Sequence, residues 1–407
     1  MSSVLSHPTF RRLFGAQVIA LLGTGLLTVA LGLLAFDIAD NAAGAVLGTA
    51  MTIKMIAYVA VSPVLTALTT RLPRKPLLIG ADLVRAAVAL SLPFVDHAWQ
   101  IYILIFILQS ASATFTPAFQ AVIPSVLTDE DDYTRALSLS RLAYDLESVL
   151  SPVFAAAVLT VLSYNNLFLG TVVGFLGSAV LVSRSHLPRI QAPTDEPFLN
   201  RLTSGTRLFL RNRELRGLQG INLTVGAVQA MVIINTVVLV RGSLNRGETD
   251  VAVLLGAFGA GSMAVALGTP WLLRRTVDTT AMIIGSVSSM MVLAVVSCII
   301  PFVVDADSWW PLLVTWCAQG ASASLMLTPS SKLVQKNSTE ASRPALFAAQ
   351  FSLSHACFLV TYPLAGALGV AVGLSATATI LTIVGTIGTL WTVWCWLAGR
   401  RAAATTS

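Results

Sequence analysis

Charge is what this sequence is short of. Only 11% of its 407 residues are Asp, Glu, Lys or Arg, against roughly 25% in a soluble domain. Hydrophobic residues make up 55%, and mean hydropathy is +0.79. So few charges cannot clothe a water-soluble surface, and the solvent for most of the chain is lipid. Lysine is scarcer still, at 54, 75, 332 and 336, and none of the four follows a glycine. That excludes a Gly-x-x-x-x-Gly-Lys phosphate loop and with it direct use of nucleotide. Cys298, Cys317, Cys357 and Cys395 lie scattered in apolar runs without paired spacing. Neither a disulfide framework nor a zinc site is indicated, and packing is their expected role. His7, His97 and His186 fall outside the apolar runs, and His355 stands two residues from Cys357. On a helix those two side chains point about 200° apart and cannot chelate one ion. With no metal cluster or nucleophile elbow in view, neither an enzyme nor a cofactor is expected.

Long apolar runs are what the chain has in abundance. The first, 14–36, follows Arg11 and Arg12 and exceeds the roughly 20 residues needed for a crossing. No small-residue cleavage signal follows it, so it is expected to be a retained helix. Further runs cover 45–69, 76–94, 101–123, 138–163 and 167–184, then 218–240, 251–273, 280–302, 311–333, 345–372 and 376–398. The expectation is an all-α integral membrane protein of twelve transmembrane helices in two pseudo-symmetric six-helix bundles, 1–184 and 217–407. Between them, 185–216 carries Pro188, Pro193 and Pro197, then apolar and basic residues at helical spacing from Phe198. It reads as a cytoplasmic linker with a surface-lying amphipathic helix. An internal repeat supports the two halves: Gln109-Ser-Ala-Ser-Ala-Thr leads to Thr116-Pro117, and Gln319-Gly-Ala-Ser-Ala-Ser leads to Thr328-Pro329, about 210 residues later.

Basic residues give the orientation, because loops rich in Lys and Arg stay in the cytoplasm. With the N-terminus inside, Arg11, Arg12, Arg71, Arg74, Lys75, Arg135, the arginines from Arg184 to Arg216, Arg274, Arg275, Lys332, Lys336, Arg343, Arg400 and Arg401 are all cytoplasmic. Arg241 and Arg246 alone fall outside. Both termini are therefore expected in the cytoplasm. The net charge of +6 is an inner fringe facing lipid headgroups, and no nucleic-acid partner is implied.

The turn between the second and third runs reads Thr66-Ala-Leu-Thr-Thr70-Arg71-Leu-Pro73-Arg74-Lys75. It resembles the signature loop of the major facilitator superfamily, Gly-x-x-x-Asp-Arg-x-Gly-Arg-Arg. The basic residues are kept, while Thr66 and Pro73 replace the glycines and Thr70 the acid. Thr116-Pro-Ala-Phe-Gln-Ala-Val-Ile-Pro, Asp129-Glu-Asp-Asp132 and Arg135-Ala-Leu resemble the drug- and siderophore-exporting branch that includes macrolide and enterobactin exporters. Ser151-Pro152-Val-Phe-Ala155-Ala156 keeps the proline and small residues of the antiporter motif in span five. The resemblance implies a major facilitator fold, a bacterial inner-membrane location and a secondary exporter working as a monomer on a small-molecule substrate by exchange with protons. It also implies gating by Arg71, Arg74 and Lys75. Related branches export nickel and cobalt, which makes divalent metal export the rival reading.

Ionisable residues inside apolar runs are the candidates for function, because a charge near the bilayer centre costs at least ~2.5–3.5 kcal/mol and needs a partner or a wet cavity. Lys54 lies about 13 Å into the second span at 1.5 Å per residue. It is either a contact for an anionic substrate or a coupling residue, or else a static salt bridge. In the fifth span Arg141 and Asp145 share a face, which gives Asp145 a neutralising partner. Glu147 points about 200° from Asp145, shares a face with Tyr144 and Ser151, and has no partner on its own helix. A carboxyl so placed suits proton uptake and release. Asp145 and Asp37, at the outer end of the first span, are further coupling candidates. Asp82 and Arg85 read as gate-side charges near Arg74. Gln17, Gln109, Asn222, Gln229, Asn235 and Gln319 add uncharged polarity to the spans expected to line the cavity.

Overall fold

The computed structural model describes all but residues 1, 62–71, 128–129, 188–197, 273–276, 306–307, 340–341 and 405–407. Among the described residues there is no strand. After a short turn of helix at Ser2–Ser6 come α1 (Pro8–Ala39), α2 (Ala43–Ile56), α3 (Arg74–Ser91), α4 (Ala98–Val126), α5 (Glu130–Leu159) and α6 (Asn165–Ser183). Then follow α7 (Phe198–Arg211), α8 (Arg213–Ala230), α9 (Glu248–Leu272), α10 (Asp278–Asp305), α11 (Trp310–Leu327), α12 (Ser330–Lys336), α13 (Arg343–Ala371) and α14 (Gly373–Ala404).

Ten of these helices are long and apolar enough to cross a membrane. The other two expected spans are also helices, α5 and α11. They are more polar, because α5 carries Arg135, Arg141, Asp145 and Glu147 while α11 carries Gln319 and two serines. The tenth run, expected to continue to 333, stops at Leu327 and restarts at Ser330, and Pro329 between them lacks the N–H that a continuous helix needs. α2 passes into a π turn at Ala57–Val61, and α8 into π turns at Met231–Asn235 and Val238–Ser243.

The chain divides into two compact units, Met1–Ala39 with Ile56–Asp195, and Asp40–Met55 with Glu196–Ser407. The division at Asp195 falls within the expected linker. A second division falls inside α2, whose stretch to Met55 groups with the second unit. There Gly48 lies so close to α13 that a Cβ would stand 2.9 Å from the Tyr362 carbonyl oxygen.

Within each unit the helices pair in the same pattern. In the first, α1 packs on α5 and α6, and α3 on α4 and α6; in the second, α8 packs on α13 and α14, and α10 on α11 and α14. Small residues and threonines make these seams, as suits helices that meet in lipid without a hydrophobic driving force. Thr171 donates to the Gly23 carbonyl at 2.9 Å across α6 and α1, and Thr392 to the Gly217 carbonyl at 2.8 Å across α14 and α8. Cys357 and Cys395 are buried in packing, whereas Cys298 and Cys317 are exposed, so the packing role expected of all four holds for two.

Candidate functional site

The first unit buries ionisable groups. On α3, Asp82 is wholly buried and pairs with Arg85, one turn on. Ser178 of α6 donates to the second Asp82 oxygen at 2.7 Å. The Arg85 guanidinium lies between the rings of Phe115 and Phe175, at 4.3 and 4.4 Å from their centroids. A planar cation gripped by two π faces and a carboxylate is well compensated for lost water, although its Nε has no hydrogen-bond partner. The pair, read from sequence as gate-side charges near Arg74, lies about 12–16 Å along α3 from that residue at 1.5 Å per residue and meets side chains of α4 and α6.

Glu147 of α5 is partly buried and packs onto Gly25 of α1 together with Ser151. A Cβ at Gly25 would stand 2.7 Å from the Glu147 Oε1, so the glycine is what lets the carboxyl enter this seam. Tyr58, in the π turn after α2, is within electrostatic range of Tyr144, Arg85 and Glu147. Glu147 therefore does not stand alone, as the sequence suggested, but belongs to a partly buried group that draws on the π turn after α2, on α3 and on α5. Gln17 of α1 accepts from Ser140 of α5 at 3.0 Å, close to the same seam. Gln109 is buried in α4. Asp37 is exposed near the end of α1, apart from this group.

Arg74 and Lys75 open α3 and are partly exposed. Arg71 lies outside the described residues. So do the side chains of Arg141 and Asp145, whose backbone belongs to α5.

The second unit gathers neutral polarity. Asn222 of α8 and Gln350 of α13 exchange amide hydrogen bonds at 3.2 and 3.0 Å. Asn222 also donates to Gln219 at 3.1 Å, and Gln219 donates to the Leu353 carbonyl at 3.0 Å and to the Cys357 sulfur at 3.2 Å. Gln319 of α11 donates to Ser289 of α10 at 2.7 Å. Gln229 is partly buried on α8. Asn235, in the first π turn, is wholly buried, and neither atom of its carboxamide has a hydrogen-bond partner. Lys54, which the division of α2 places in this unit, is within electrostatic range of His355 on α13. His355 and Cys357 serve different neighbours: the imidazole Nδ1 meets the Phe351 carbonyl at 2.7 Å, and the thiol meets Gln219.

Tyr58, Gln219, Gln350 and the rings around His355 were not singled out from sequence. For the rings a signal existed, since Phe351, His355, Phe358 and Tyr362 recur at helical spacing. For Tyr58 none did, because its neighbours come from helices 27 to 89 positions away in the chain.

Two all-helical units, with ten helices long and apolar enough to cross a membrane, define a multi-pass membrane protein. The chain belongs to the Major Facilitator Superfamily, which residues 13–296 match. Macrolide efflux protein A of Streptococcus pyogenes is 27% identical over 233 residues, 55% of this chain and 55% of that protein. Macrolide efflux protein A of Enterococcus faecalis is 28% identical over 200 residues, 46% of this chain and 60% of that protein. The chain spans about half the length of the curated relatives it matches. Among solved structures, a bacterial homolog of the human lysosomal transporter Spinster superposes with a TM-score of 0.72 at 10% identity, covering 97% of each chain. The nucleoside transporter NupG gives 0.67 at 14% identity, covering 95% of this chain and 98% of that one. These likenesses establish the fold.

Proposed function

We propose that the chain is a secondary active exporter of a small amphipathic or anionic organic compound, driven by protons moving the other way. The observation that carries this reading is Glu147, a carboxyl set into the α1–α5 seam beside Gly25 and Ser151, within the electrostatic group of Tyr58, Tyr144 and Arg85. Glu147 takes a proton from one side of the membrane and releases it to the other as access to the substrate site alternates. Asp145 and Asp37 are secondary acids in this scheme. Lys54, Gln17, Gln109, Asn222, Gln229 and Gln319 supply the substrate's polar contacts. On this reading Arg71, Arg74, Lys75 and Arg141 act at the cytoplasmic gate. The relatives named macrolide efflux protein A favour outward transport of a drug-like molecule. The reading places a monomer in a bacterial cytoplasmic membrane with both termini inside.

Export of nickel or cobalt has less support. Among the described residues no group of three or more His, Cys, Asp and Glu side chains could hold a metal ion. His355 and Cys357 are engaged with different neighbours.

The test uses the purified chain in proteoliposomes with an internal pH dye, and panels of antibiotics, dyes, organic acids and divalent metals. Wild type is expected to move protons only when an organic substrate is added, and Glu147→Gln to lose that movement while still binding substrate. Transport without proton movement removes the coupling role of Glu147. Proton movement with nickel or cobalt alone replaces this reading by its rival.

A further inference from the structure

We propose that the end of the α8–α14 seam carrying Arg213, Arg216, Trp391 and Trp394 binds the phosphate of an anionic phospholipid, in the leaflet that faces the cytoplasm on the orientation given by the basic loops; the site is independent of what the chain transports. On α8, Arg213 and Arg216 are one turn apart and lie on the same side as Gly217 and Gly220, the glycines that bring α14 close. The Arg213 Nε donates to the Cys395 carbonyl of α14 at 2.8 Å. In the other direction the Trp391 indole N–H donates to the Arg216 carbonyl at 3.1 Å, and that of Trp396 to the Glu214 carbonyl at 2.9 Å. A Cβ on Gly217 would collide with the Trp396 indole, so the arginines stand on two backbones locked together. Trp391 and Trp394 have ring centroids 5.2 Å apart and are 45% and 58% exposed. They prolong the exposed row of Ile383, Ile387 and Leu390 on α14, and tryptophans that end such a row sit at headgroup depth.

Membrane topology alone also puts arginines at this depth, but it does not ask that they lack counter-charge. At the far end of α8's span Arg241 pairs with Glu248 and Arg246 with Asp250, each at 3.2 Å, and Arg246 lies over the Trp309 ring at 4.4 Å. Lys332 pairs with Asp278 at 3.1 Å and Lys336 with Glu214 at 3.2 Å. Arg213 and Arg216 have no acidic partner among the described residues. Glu214 stands between them in sequence, yet its carboxylate is turned to Lys336 and Asn337. The Arg216 Nε is buried and has no hydrogen-bond partner. A partly buried guanidinium in this condition favours an acceptor from outside the chain, and a phosphate meets its planar N–H edge through two bonds at once. The backbone N–H groups of Glu214 and Leu215 already serve the Asn212 side chain, so the arginines and not the helix end hold the ligand. Cationic side chains beside exposed rings complement a lipid that joins a phosphate to acyl chains, and a free phosphate ester has nothing to offer the rings. A zwitterionic lipid brings a choline cation against the same arginines and is disfavoured.

Native mass spectrometry of the purified full chain in detergent tests this, with palmitoyl-oleoyl phosphatidylglycerol and phosphatidylcholine as probes that share their acyl chains. Wild type is expected to bind phosphatidylglycerol about tenfold more tightly than phosphatidylcholine. Arg213→Gln with Arg216→Gln removes that preference, and Arg216→Gln alone lowers it at least about threefold. Trp391→Leu with Trp394→Leu weakens both lipids in parallel and keeps the preference, while Lys332→Gln, at an exposed ion pair elsewhere in the unit, changes neither. Equal binding of the two lipids by wild type, a preference intact in Arg216→Gln, or unchanged binding after loss of both rings overturns the proposal. Where the double arginine variant does not fold, the single one decides. Glycerol 3-phosphate separates the lipid from a free phosphate: it is expected to leave bound phosphatidylglycerol in place, and ready displacement overturns the assignment to lipid. The export reading fails separately, since a lipid preference of the expected form with no compound moved in proteoliposomes leaves this site standing and removes the transport assignment.

Discussion

Inside the first unit the polarity is ionisable, with Asp82, Arg85 and Glu147 held among Ser178, Tyr58 and Tyr144. Inside the second it is amide, hydroxyl and ring, with Lys54 as the interior charge. Yet the helices of the two pair in the same pattern, and the α1–α6 and α8–α14 seams use the same device of glycine and threonine. Backbone packing in lipid asks only for small residues and satisfied hydrogen bonds, so two halves can keep one scaffold while their interiors diverge. On the reading proposed above, the proton step lies in the first unit at Glu147, while four of the six substrate contacts, Lys54, Asn222, Gln229 and Gln319, lie in the second.

The sharpest way to break that division is at Glu147. Glu147→Gln keeps the size of the side chain and removes its proton, so transport driven by a pH gradient is expected to fall at least about tenfold with substrate binding unchanged. Loss of binding instead would make Glu147 a substrate contact and end the comparison. Next in size is Asp82→Leu. It leaves Arg85 buried without its carboxylate, and removal of one partner from such a pair typically costs about 3–5 kcal/mol, read as a large drop in unfolding midpoint in detergent. The double change Asp82→Leu with Arg85→Met is expected to recover most of that loss, which would assign the pair to fastening α3 rather than to the gate.

The glycine seams sharpen the comparison at smaller scale. A Cβ on Gly220 of α8 would collide with the Gly388 carbonyl of α14, whereas one on Gly23 of α1 would stand 3.2 Å from the Thr171 carbonyl. Backbone at the first seam cannot step aside, so Gly220→Ala is expected to cost about 1–3 kcal/mol of stability. Gly23→Ala should cost less, and equal losses would mean that the two seams are equally tight.

Much of this arrangement could be read before any coordinates. Lipid demands continuous apolar stretches, and α1, α3, α6 and α10 show them directly. α5 and α11 were also legible, as the apolar runs 138–163 and 311–333, although polar residues interrupt both. What stayed hidden depends on tertiary approach. That Glu147 shares a field with Tyr58 follows from how α2, α3 and α5 fold together, and no local pattern encodes it. The π turn carrying Asn235 is equally silent, because its residues are ordinary helix formers for a membrane span. The stripe of Phe351, His355, Phe358 and Tyr362 was visible as spacing, but aromatic spacing on a helix reads the same for packing as for recognition.

The smallest effect tests whether burial, and not the mere presence of an ion pair, separates the two units. Glu214 in the first turn of α8 accepts from Lys336 at 3.2 Å and from Asn337 at 2.7 Å, with Lys336 65% exposed. Asn212 already caps this helix by accepting from the backbone N–H groups of Glu214 and Leu215, and a carboxylate in the first turn is favoured by the helix dipole whether or not a lysine faces it. Water screens such a pair and its long side chain loses entropy when held, so Lys336→Ala is expected to cost less than about 1 kcal/mol. Raising the ionic strength should erase that cost while leaving the loss in Asp82→Leu intact, because mobile ions reach α12 but not the core between α3, α4 and α6. A Lys336→Ala penalty as large as that of Asp82→Leu, or one indifferent to salt, would mean that Glu214 lies in a dry environment in the membrane-embedded protein, and charge would then be a property of both units.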